Sequence, residues 1–368
     1  MQEPKMRVLV ISPQHWGTMR VTKHHYAIEL AKLGHEVIFL EPTEANWNWT
    51  KSSFILRQSD ASGVRLLNQQ LNIPYNLKFH AKGLYDWFVK IHIRKLEKIV
   101  GPFDLVWSFD LTNAMPLKFF SESSKKIFFA ADWPQVSDAV KAVEGASLLV
   151  SVAQEILNEY PNNSQMKKLL IDHGVADIFI EEGKKPFVKT DDKIRIGMSG
   201  NFLRPEINRA TLLEIVYSNP DFLFELFGSY TLSNLGCEMD NNTSEFLNKL
   251  SGTSNVILHG MLETKQLAKE LRRMDAFLIC YDVQKDQSKG TNYHKVMEFL
   301  CYGKIIISNQ VSAYKNNPLV IQTKNEFGVV DVLTNFQANK NLILENKRKP
   351  TKIYSYSTWL KKILFQIR

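Results

Sequence analysis

The sequence of 368 residues predicts two successive α/β domains, each built on a doubly wound, mostly parallel sheet. Short apolar runs without alternation recur along the chain, as is typical of strands that are buried on both faces. Segments with helical periodicity separate these runs. The alternation is interrupted once, by the polar stretch EEGKKPFVKTDDK at residues 181–193. We interpret that stretch as a linker between two domains of similar size.

The first half begins with MRVLVIS, residues 6–12, as a buried strand. An amphipathic helix over residues 23–33 follows, and Gly34 ends it because glycine tolerates the left-handed backbone of a helix stop. Five further strands are predicted before the linker, at residues 37–40, 104–109, 126–131, 147–152 and 169–172.

The second half repeats the pattern and ends in a helix. Strands are predicted at residues 194–197, 222–227, 255–258, 275–280 and 304–308. The apolar positions of YSYSTWLKKILFQI lie one helical turn apart. That helix either packs on its own domain or returns to the first one. The predicted divisions are residues 1–180, the linker 181–193, residues 194–350 and the C-terminal helix 351–368.

The composition is that of an ordinary folded chain, with 44% hydrophobic and 23% charged residues, so collagen-like and disordered chains are excluded. No apolar run reaches the roughly 18 to 20 residues of a membrane helix, and the start does not resemble a signal peptide. Three scattered cysteines, Cys237, Cys280 and Cys301, form no disulfide or zinc pattern, which indicates a reducing, cytoplasmic setting. The net charge of +8 suits a phosphate-bearing partner or an anionic membrane surface.

The stretch TNYHKVMEFLCYGKIIIS carries the most chemical information. A helix is expected to begin near Thr291 or Asn292, both good N-caps, and to end at Gly303. Its start would lie at the carboxyl ends of the strands, where Lys295 and the free N–H groups favour a phosphate. Glu298 shares a face with Lys295 and can accept hydrogen bonds from two ribose hydroxyls. The alternative is that these two side chains only form a surface ion pair.

The pattern K-x-x-E-x-x-x-x-G before an apolar strand resembles the donor-binding helix of the "group 1" glycosyltransferases with the GT-B fold. Three more stretches fit that family in the right order: LLIDHGVADIF at residues 169–179, KIRIGMSGN at 193–201 and NVILHGML at 255–262. The resemblance implies two Rossmann-like domains facing a cleft, with the acceptor on the first and a UDP- or GDP-linked sugar on the second. Among such enzymes, the sequence resembles the peripheral-membrane xanthan-type glucuronosyltransferases.

The resemblance implies that Lys295 contacts the donor diphosphate and Glu298 its ribose, and that Met261 and Leu262 lie at the base. In GMSGNFLRP, Gly197 and Gly200 would allow a diphosphate close to the backbone, and Arg204 would bind it with two hydrogen bonds. We therefore expect donor-binding residues at Gly197, Gly200, Arg204, Met261, Leu262, Asn292, Lys295 and Glu298.

One position departs from the family pattern. Many retaining members have a second glutamate eight residues before the ribose glutamate, and Gly290 stands there in this sequence. The identity of the donor sugar and the stereochemical outcome are therefore left open. Neither G-x-G-x-x-G nor a P-loop lysine motif is present, which argues against a nicotinamide enzyme or an NTPase.

Sugar transfer needs a group that takes the proton of the acceptor hydroxyl, at least in an inverting enzyme. Asp132 closes an apolar strand and is the preferred candidate, and Asp110 and His15 are the alternatives. Each of them also has a simpler interpretation as a turn or capping residue. No cofactor or metal ion is expected, because no D-x-D between apolar residues occurs.

Residues 82–100, KGLYDWFVKIHIRKLEKIV, interleave aromatic and aliphatic side chains with lysines and arginines. Such a helix is able to lie in an anionic lipid interface, although an ordinary core helix with a basic outer side has the same pattern. The helix therefore leaves open a peripheral position of the protein on the inner membrane face.

The favoured function is a metal-independent glycosyltransferase of the hexosyltransferase type, which transfers a sugar to a glycan or lipid-linked acceptor in bacterial surface polysaccharide synthesis. A nucleotide-sugar epimerase on the same fold and a non-catalytic scaffold protein are the alternatives. Nucleic acid is not an expected partner, because no recognised binding module accompanies the positive charge.

Overall fold

The computed structural model describes residues 4–17, 20–43, 53–58, 62–134, 137–189, 191–231, 240–323, 326–335 and 353–368. Cys237 and the first residues of the predicted C-terminal helix segment, 351 and 352, lie outside this part. The chain divides into two compact units. The first unit comprises Met1–Asp172 and Tyr356–Arg368, and the second comprises His173–Ser355.

The first unit contains a sheet of eight strands. They are β1 (Arg7–Ile11), β2 (Glu36–Thr43), β3 (Ser53–Gln58), β4 (Arg65–Gln70), β5 (Leu105–Ser108), β6 (Lys125–Ala130), β7 (Leu148–Ser151) and β8 (Lys167–Leu170). Their order is β3-β4-β2-β1-β5-β6-β7-β8, and every pair is parallel except β3 with β4. The six predicted strands are present, although β8 begins two residues early. The β3–β4 hairpin was not predicted, because β3 is a half-exposed edge strand without a continuous apolar run.

Helices cover both sheets. They are α1 (Thr22–Lys32), α2 (Leu77–His80), α3 (Lys82–Val100), α4 (Ser137–Lys141), α5 (Gln154–Asn158), α6 (Asp177–Lys184), α7 (Arg209–Ser218), α8 (Asn241–Ser251), α9 (Thr264–Arg272), α10 (His294–Leu300), α11 (Glu326–Thr334) and α12 (Tyr356–Gln366). In the first unit, α3 inserts Tyr85, Val89, Ile93 and Leu96 into the core beneath the sheet. These positions recur every three to four residues, which explains why this sequence forms a helix here.

The second unit contains a sheet of six parallel strands. They are β9 (Arg195–Ser199), β10 (Leu223–Phe227), β11 (Val256–Gly260), β12 (Ala276–Ile279), β13 (Ile305–Ser308) and β14 (Val320–Gln322). Their order is β11-β10-β9-β12-β13-β14, so the chain reverses its direction across the sheet between β9 and β12. Five of the strands were predicted; β14, with three residues, was too short to give a pattern.

The segment predicted as a linker belongs to the second unit, and its first four residues lie in α6. Glu182 is buried there, 2.5 Å from Lys185 Nζ and 3.1 Å from Arg272 Nη1 of α9. A Cβ atom on Gly183 would lie 2.1 Å from the carbonyl oxygen of Cys301, so α6 needs glycine at this contact. Glu182 is therefore buried by ion pairs within the second unit, whereas residues 184–189 and 191–193 are exposed. The units divide after Asp172 rather than after residue 180.

The C-terminal helix α12 belongs to the first unit, which decides between the two alternatives left by the sequence. The ring of Tyr356 stacks on His25 of α1 at 4.5 Å and meets Tyr26 edge-on at 5.2 Å. Further along the helix, Leu360 and Ile363 are fully buried. The apolar side of α12 therefore covers α1.

We predict that Leu360→Ala lowers the free energy of unfolding of the first unit by about 2–5 kcal/mol, because it leaves a cavity beneath α12. Phe365→Ala on the same helix is the matched control, since that side chain is 69% exposed, and its effect is expected to stay within about 0.5 kcal/mol. Urea unfolding of both variants measures the difference. Equal stability of the two variants would contradict the packing of α12 on α1.

Candidate functional site

The second sheet has one topological switch point, between β9 and β12. Ligands of open α/β sheets bind beyond the carboxyl ends of the strands at such a point. Ser199 and Gly200 lie at the end of β9, and Tyr281 follows β12. A Cβ atom on Gly200 would lie 3.4 Å from the hydroxyl oxygen of Tyr281, so the two loops are in contact.

Lys295 connects α10 to this edge of the sheet. Its Nζ donates a hydrogen bond to Ser199 Oγ over 3.1 Å, and no other hydrogen bond or ion pair of its side chain occurs in the described part of the chain. Glu298 therefore forms no salt bridge with Lys295, contrary to the alternative of a surface ion pair. The two residues remain half-buried neighbours on one face of α10.

Burial acts on both charges of this pair. Desolvation lowers the pKa of Lys295, and the negative charge of Glu298 opposes that change. Desolvation also raises the pKa of Glu298, which the positive charge of Lys295 opposes. Each group thus depends on the other for its charged form, although they do not touch. An anion beside Lys295 would stabilise its charged form further.

Asn292 does not cap the helix as predicted, because α10 begins at His294 with Tyr293 as its N-cap. The side chain of Asn292 is buried, and its Oδ1 accepts a hydrogen bond of 2.7 Å from the hydroxyl of Tyr314. The sequence could not show Tyr314 as a competing partner 22 residues away. Asn292 therefore anchors the segment before α10 to Tyr314.

Gly197 is explained by packing within the sheet. It lies in the middle of β9, and a Cβ atom there would lie 2.6 Å from Met274 Cγ and 3.2 Å from Phe277 Cδ1. It is thus set apart from Gly200, which lies at the carboxyl end of the strand. A small residue at position 197 makes room for core side chains rather than for a ligand.

Gly228, at the end of β10, is a residue that the sequence analysis missed. Its φ is +136°, and a Cβ atom there would lie 1.7 Å from the carbonyl oxygen of Gly200, so only glycine fits. The signal was present, because FELFGS repeats the strand-then-glycine pattern of RIGMSG. Gly200 and Gly228 together bring two backbones into contact next to Ser199.

Arg204 is paired with a carboxylate of the protein. Its Nε donates to Glu206 Oε2 over 3.0 Å, and its Nη2 hydrogen bonds to the other oxygen of the same group. Met261 is 54% exposed directly after β11 and Gly260, whereas Leu262 packs partly against the core. Of these three predicted contacts, Met261 and Arg204 are exposed and Leu262 is half-buried.

Position 290 has no room for the glutamate that the family pattern expects. Gly290 has a φ of +68°, and a Cβ atom there would lie 2.9 Å from the carbonyl oxygen of Gln310. A carboxylate nevertheless lies at this backbone, because Asp286 Oδ2 accepts hydrogen bonds from Gly290 N over 3.0 Å and from Ser288 Oγ over 2.5 Å. Asp286, four residues earlier, was not singled out from the sequence.

The alternative bases of the first unit have different surroundings. Asp110 is buried, and its oxygens accept hydrogen bonds from Thr112 N, Thr112 Oγ1 and Ala114 N over 2.6 to 2.9 Å. It therefore stabilises the turn after β5, whose hydrogen bonds use both of its carboxylate oxygens. His15 is exposed after β1, and its Nδ1 lies 3.7 Å from Oε1 of the buried Glu41.

Asp132 is half-buried after β6 and has Lys23 near it. Burial lowers the pKa of Lys23 to about 8, while the charges of Asp132 and Asp110 oppose that shift. The hydroxyl of Tyr160 is buried without a hydrogen-bond partner, and burial, followed by the charge of Asp132, raises its pKa. Lys23 and Tyr160 were not predicted as site residues. The position of Lys23 in the first turn of the first helix could have indicated it.

Within the residues described, no three His, Cys, Asp or Glu side chains lie close enough to hold a metal ion. The positive charge at the switch point of the second sheet comes from Lys295, and Arg204 lies nearby in its pair with Glu206.

Solved structures resemble this chain over its whole length. HepE from Anabaena, in complex with UDP and glucose, has a TM-score of 0.67 at 12% identity, covering 98% of this chain and 99% of that one. Sucrose-phosphate synthase from Thermosynechococcus elongatus has a TM-score of 0.66 at 11% identity over 99% of both chains. The chain has the GT-B fold. This confirms the predicted fold class of two Rossmann-like units.

A third similar structure is the lipopolysaccharide outer core galactosyltransferase WaaB in its apo form, with a TM-score of 0.60 at 11% identity over 98% of this chain and 100% of that one. No family model matches the sequence, and no curated protein matches it. At these identities the GT-B likeness establishes the architecture, and the chemistry has to be argued from the residues.

We predict that Lys23→Met changes the pH dependence of stability. In the wild type the unfolded lysine binds its proton up to a pKa of 10.5 and the folded one only to about 8. Between these values the unfolded state binds more protons, so the free energy of unfolding rises with pH. At 1.4 kcal/mol per pKa unit, the wild type should gain up to about 3 kcal/mol relative to the variant.

Urea unfolding of both proteins between pH 7 and 10.5 measures this difference. A difference that stays constant over the window would show that burial does not lower the pKa of Lys23.

Proposed function

We propose that this chain is a glycosyltransferase that transfers a sugar from a nucleotide-diphosphate sugar to a glycan or lipid-linked acceptor in bacterial surface polysaccharide synthesis. One observation carries the proposal: in a GT-B chain, Lys295 Nζ is held at the carboxyl end of β9, with Glu298 one turn further along α10. The fold of HepE, whose structure holds UDP and glucose, and the fold of WaaB support the assignment.

The donor diphosphate is proposed to lie beside Lys295, Ser199 and the backbone of Gly200. Lys295 would turn from the Ser199 hydroxyl to the phosphate, and the negative charge would restore the pKa that burial lowers. Ribose hydroxyls would donate to Glu298 and compensate the desolvation of its carboxylate. A bound nucleotide would thus stabilise the charged forms of both side chains.

The other ends of the donor are assigned from exposure and position. The base is proposed to contact Met261, which is largely exposed after β11. The sugar hydroxyls are proposed to contact Asp286, whose carboxylate is held at the backbone of Gly290. Asp286 would then supply the acidic contact that position 290 lacks. The proposed contact would remove the feature on which the scaffold alternative rests.

The proposed reaction is a displacement at the anomeric carbon. The acceptor oxygen forms a bond to that carbon, the bond from the carbon to the phosphate oxygen breaks, and the hydroxyl proton passes to the carboxylate of Asp132. Lys295 stabilises the leaving diphosphate. We propose that no metal ion takes part, because a fixed positive charge is already placed for the leaving group.

The acceptor is proposed to be presented on a lipid at the cytoplasmic face of the inner membrane, as would follow if the chain acts like the xanthan-type enzymes. This extends the transferase proposal to the setting of the reaction.

We predict that the wild type binds either UDP or GDP with micromolar affinity in calorimetry with EDTA present. Glu298→Ala should weaken that binding at least about tenfold, or 1.4 kcal/mol, because the ribose loses its acceptor. Glu245→Ala is the control, since this exposed glutamate of α8 pairs with Lys249 and with no other residue that the structure describes. If neither nucleotide binds, or if Glu298→Ala binds like the control, the donor site is wrong and the scaffold alternative leads.

We also predict that Asp132→Asn slows sugar transfer by about 10²–10⁴-fold and leaves nucleotide affinity unchanged, because the amide cannot take the proton. Transfer of labelled sugar from the nucleotide identified above to extracted lipid-linked oligosaccharides is the measurement. His15→Ala serves as the comparison. Wild-type transfer by Asp132→Asn, together with a loss in His15→Ala, would assign the base to His15.

A further inference from the structure

Helix α3 has one side in the core and one side in solvent, and the structure decides which residues lie on each. The buried side consists of Tyr85, Val89, His92, Ile93 and Leu96. The opposite side, which we name the outer face, consists of Leu84, Trp87, Lys90, Ile91, Arg94, Lys95 and Lys98, all exposed.

Large apolar side chains recur on the outer face with helical spacing. Leu84 is 51% exposed, Trp87 56% and Ile91 45%, and positions 84, 87 and 91 lie on the same side of the helix. The preceding helix α2 adds Phe79, which is 69% exposed. Single exposed apolar residues are ordinary, but three on one stripe with a tryptophan among them indicate a contact surface.

All charged residues of the outer face are basic. The acidic residues of α3 are less exposed and have partners: Asp86 accepts a hydrogen bond from Lys82 Nζ over 3.2 Å, and Glu97 accepts one from Ser121 N over 2.9 Å. Side chains of Lys90, Arg94 and Lys98 form no ion pair or hydrogen bond in the part of the chain that the structure describes. The positive charges of Lys90, Arg94 and Lys98 are therefore directed to solvent.

We propose that the outer face of α3 binds an anionic lipid surface, with the helix lying parallel to the membrane plane. Leu84, Trp87 and Ile91 would enter the boundary between headgroups and acyl chains, and the lysines and Arg94 would contact lipid phosphates. The aliphatic stems of the basic side chains allow the charges to reach the headgroups while the apolar residues insert.

The positive charge of the outer face favours an anionic membrane over a second copy of the chain as its binding partner. A second copy of the chain would present the same basic face, within a net charge of +8, and would be repelled. An anionic bilayer offers both of the required partners, apolar depth and negative charge, along the whole outer face. Insertion across the bilayer is not implied, because none of the helices described is long and apolar enough to span it.

The surface lies on the first unit and shares no residue with the donor site around Lys295. A failure to bind nucleotide would therefore leave the membrane-binding proposal intact, and a failure to bind membranes would leave the donor site intact.

Flotation of the full chain with vesicles tests the proposal. Vesicles of phosphatidylglycerol and phosphatidylcholine in equal amounts are compared with vesicles of phosphatidylcholine alone, at low and high salt. We expect the wild type to bind the anionic vesicles at least about tenfold more strongly than the neutral ones, and high salt to weaken that binding.

Two sets of variants separate the apolar and the charged contribution. Trp87→Ser with Ile91→Ser, and Lys90→Glu with Arg94→Glu and Lys98→Glu, should each reduce binding to anionic vesicles at least about tenfold. Tyr217→Ser on α7, where the side chain is 53% exposed, is the matched apolar control and should bind like the wild type. Circular dichroism and urea unfolding confirm that each variant is folded.

Fluorescence quenching by brominated lipids adds a direct contact measurement, with Trp87→Phe as the reference that lacks the relevant indole. Loss of a quenched component in this variant is the expected result. Equal binding to neutral and anionic vesicles, wild-type binding by both sets of variants, or no change in quenching would overturn the proposal. So would binding to an acidic protein without binding to anionic vesicles.

Discussion

Close contact between backbones at the carboxyl end of the second sheet is the constraint on which the candidate donor site depends. Gly228 N donates to Gly260 O over 2.8 Å, and Gly200 N donates to Phe227 O over 2.9 Å. These bonds extend the pairing of β9, β10 and β11 beyond the strands themselves. Only glycine at position 228 allows this approach. The result is a fixed position for Ser199, and with it a fixed partner for the lysine of α10.

The two units have the same architecture but place charge in different ways. In the second unit a lysine and a glutamate are both desolvated and help each other remain charged without a salt bridge. In the first unit both carboxylate oxygens of Asp110 accept hydrogen bonds from its own turn. The half-buried Lys23 lies near Asp132. A buried charge with few protein partners is costly unless something else compensates it. Lys295 and Lys23 are therefore candidate ligand-binding groups, whereas Asp110 already has hydrogen-bond partners within its turn.

Sequence reasoning was reliable wherever a pattern depends on neighbouring residues. Strands that are buried on both faces appear as apolar runs, so eleven of the fourteen strands in the described part of the chain were found, and their alternation with helices predicted two doubly wound domains. The GT-B fold itself was implied by the resemblance of four motifs to that family. It was unreliable where a polar residue is buried by a distant partner. Glu182 was interpreted as part of a linker because Arg272, which pairs with it, is 90 residues further along the chain. Asn292 was interpreted as a helix cap because nothing nearby shows its bond to Tyr314.

By itself, the sequence determined the class of fold, the helix that carries Lys295 and Glu298, and the amphipathic character of α3. These features arise from spacings of three to four residues along one segment, which are encoded locally. Tertiary structure alone decided that Lys295 meets Ser199, 96 residues away, and that Trp87 faces solvent. Such contacts depend on which strands pair and which side of a helix the core covers, and no local pattern contains that information.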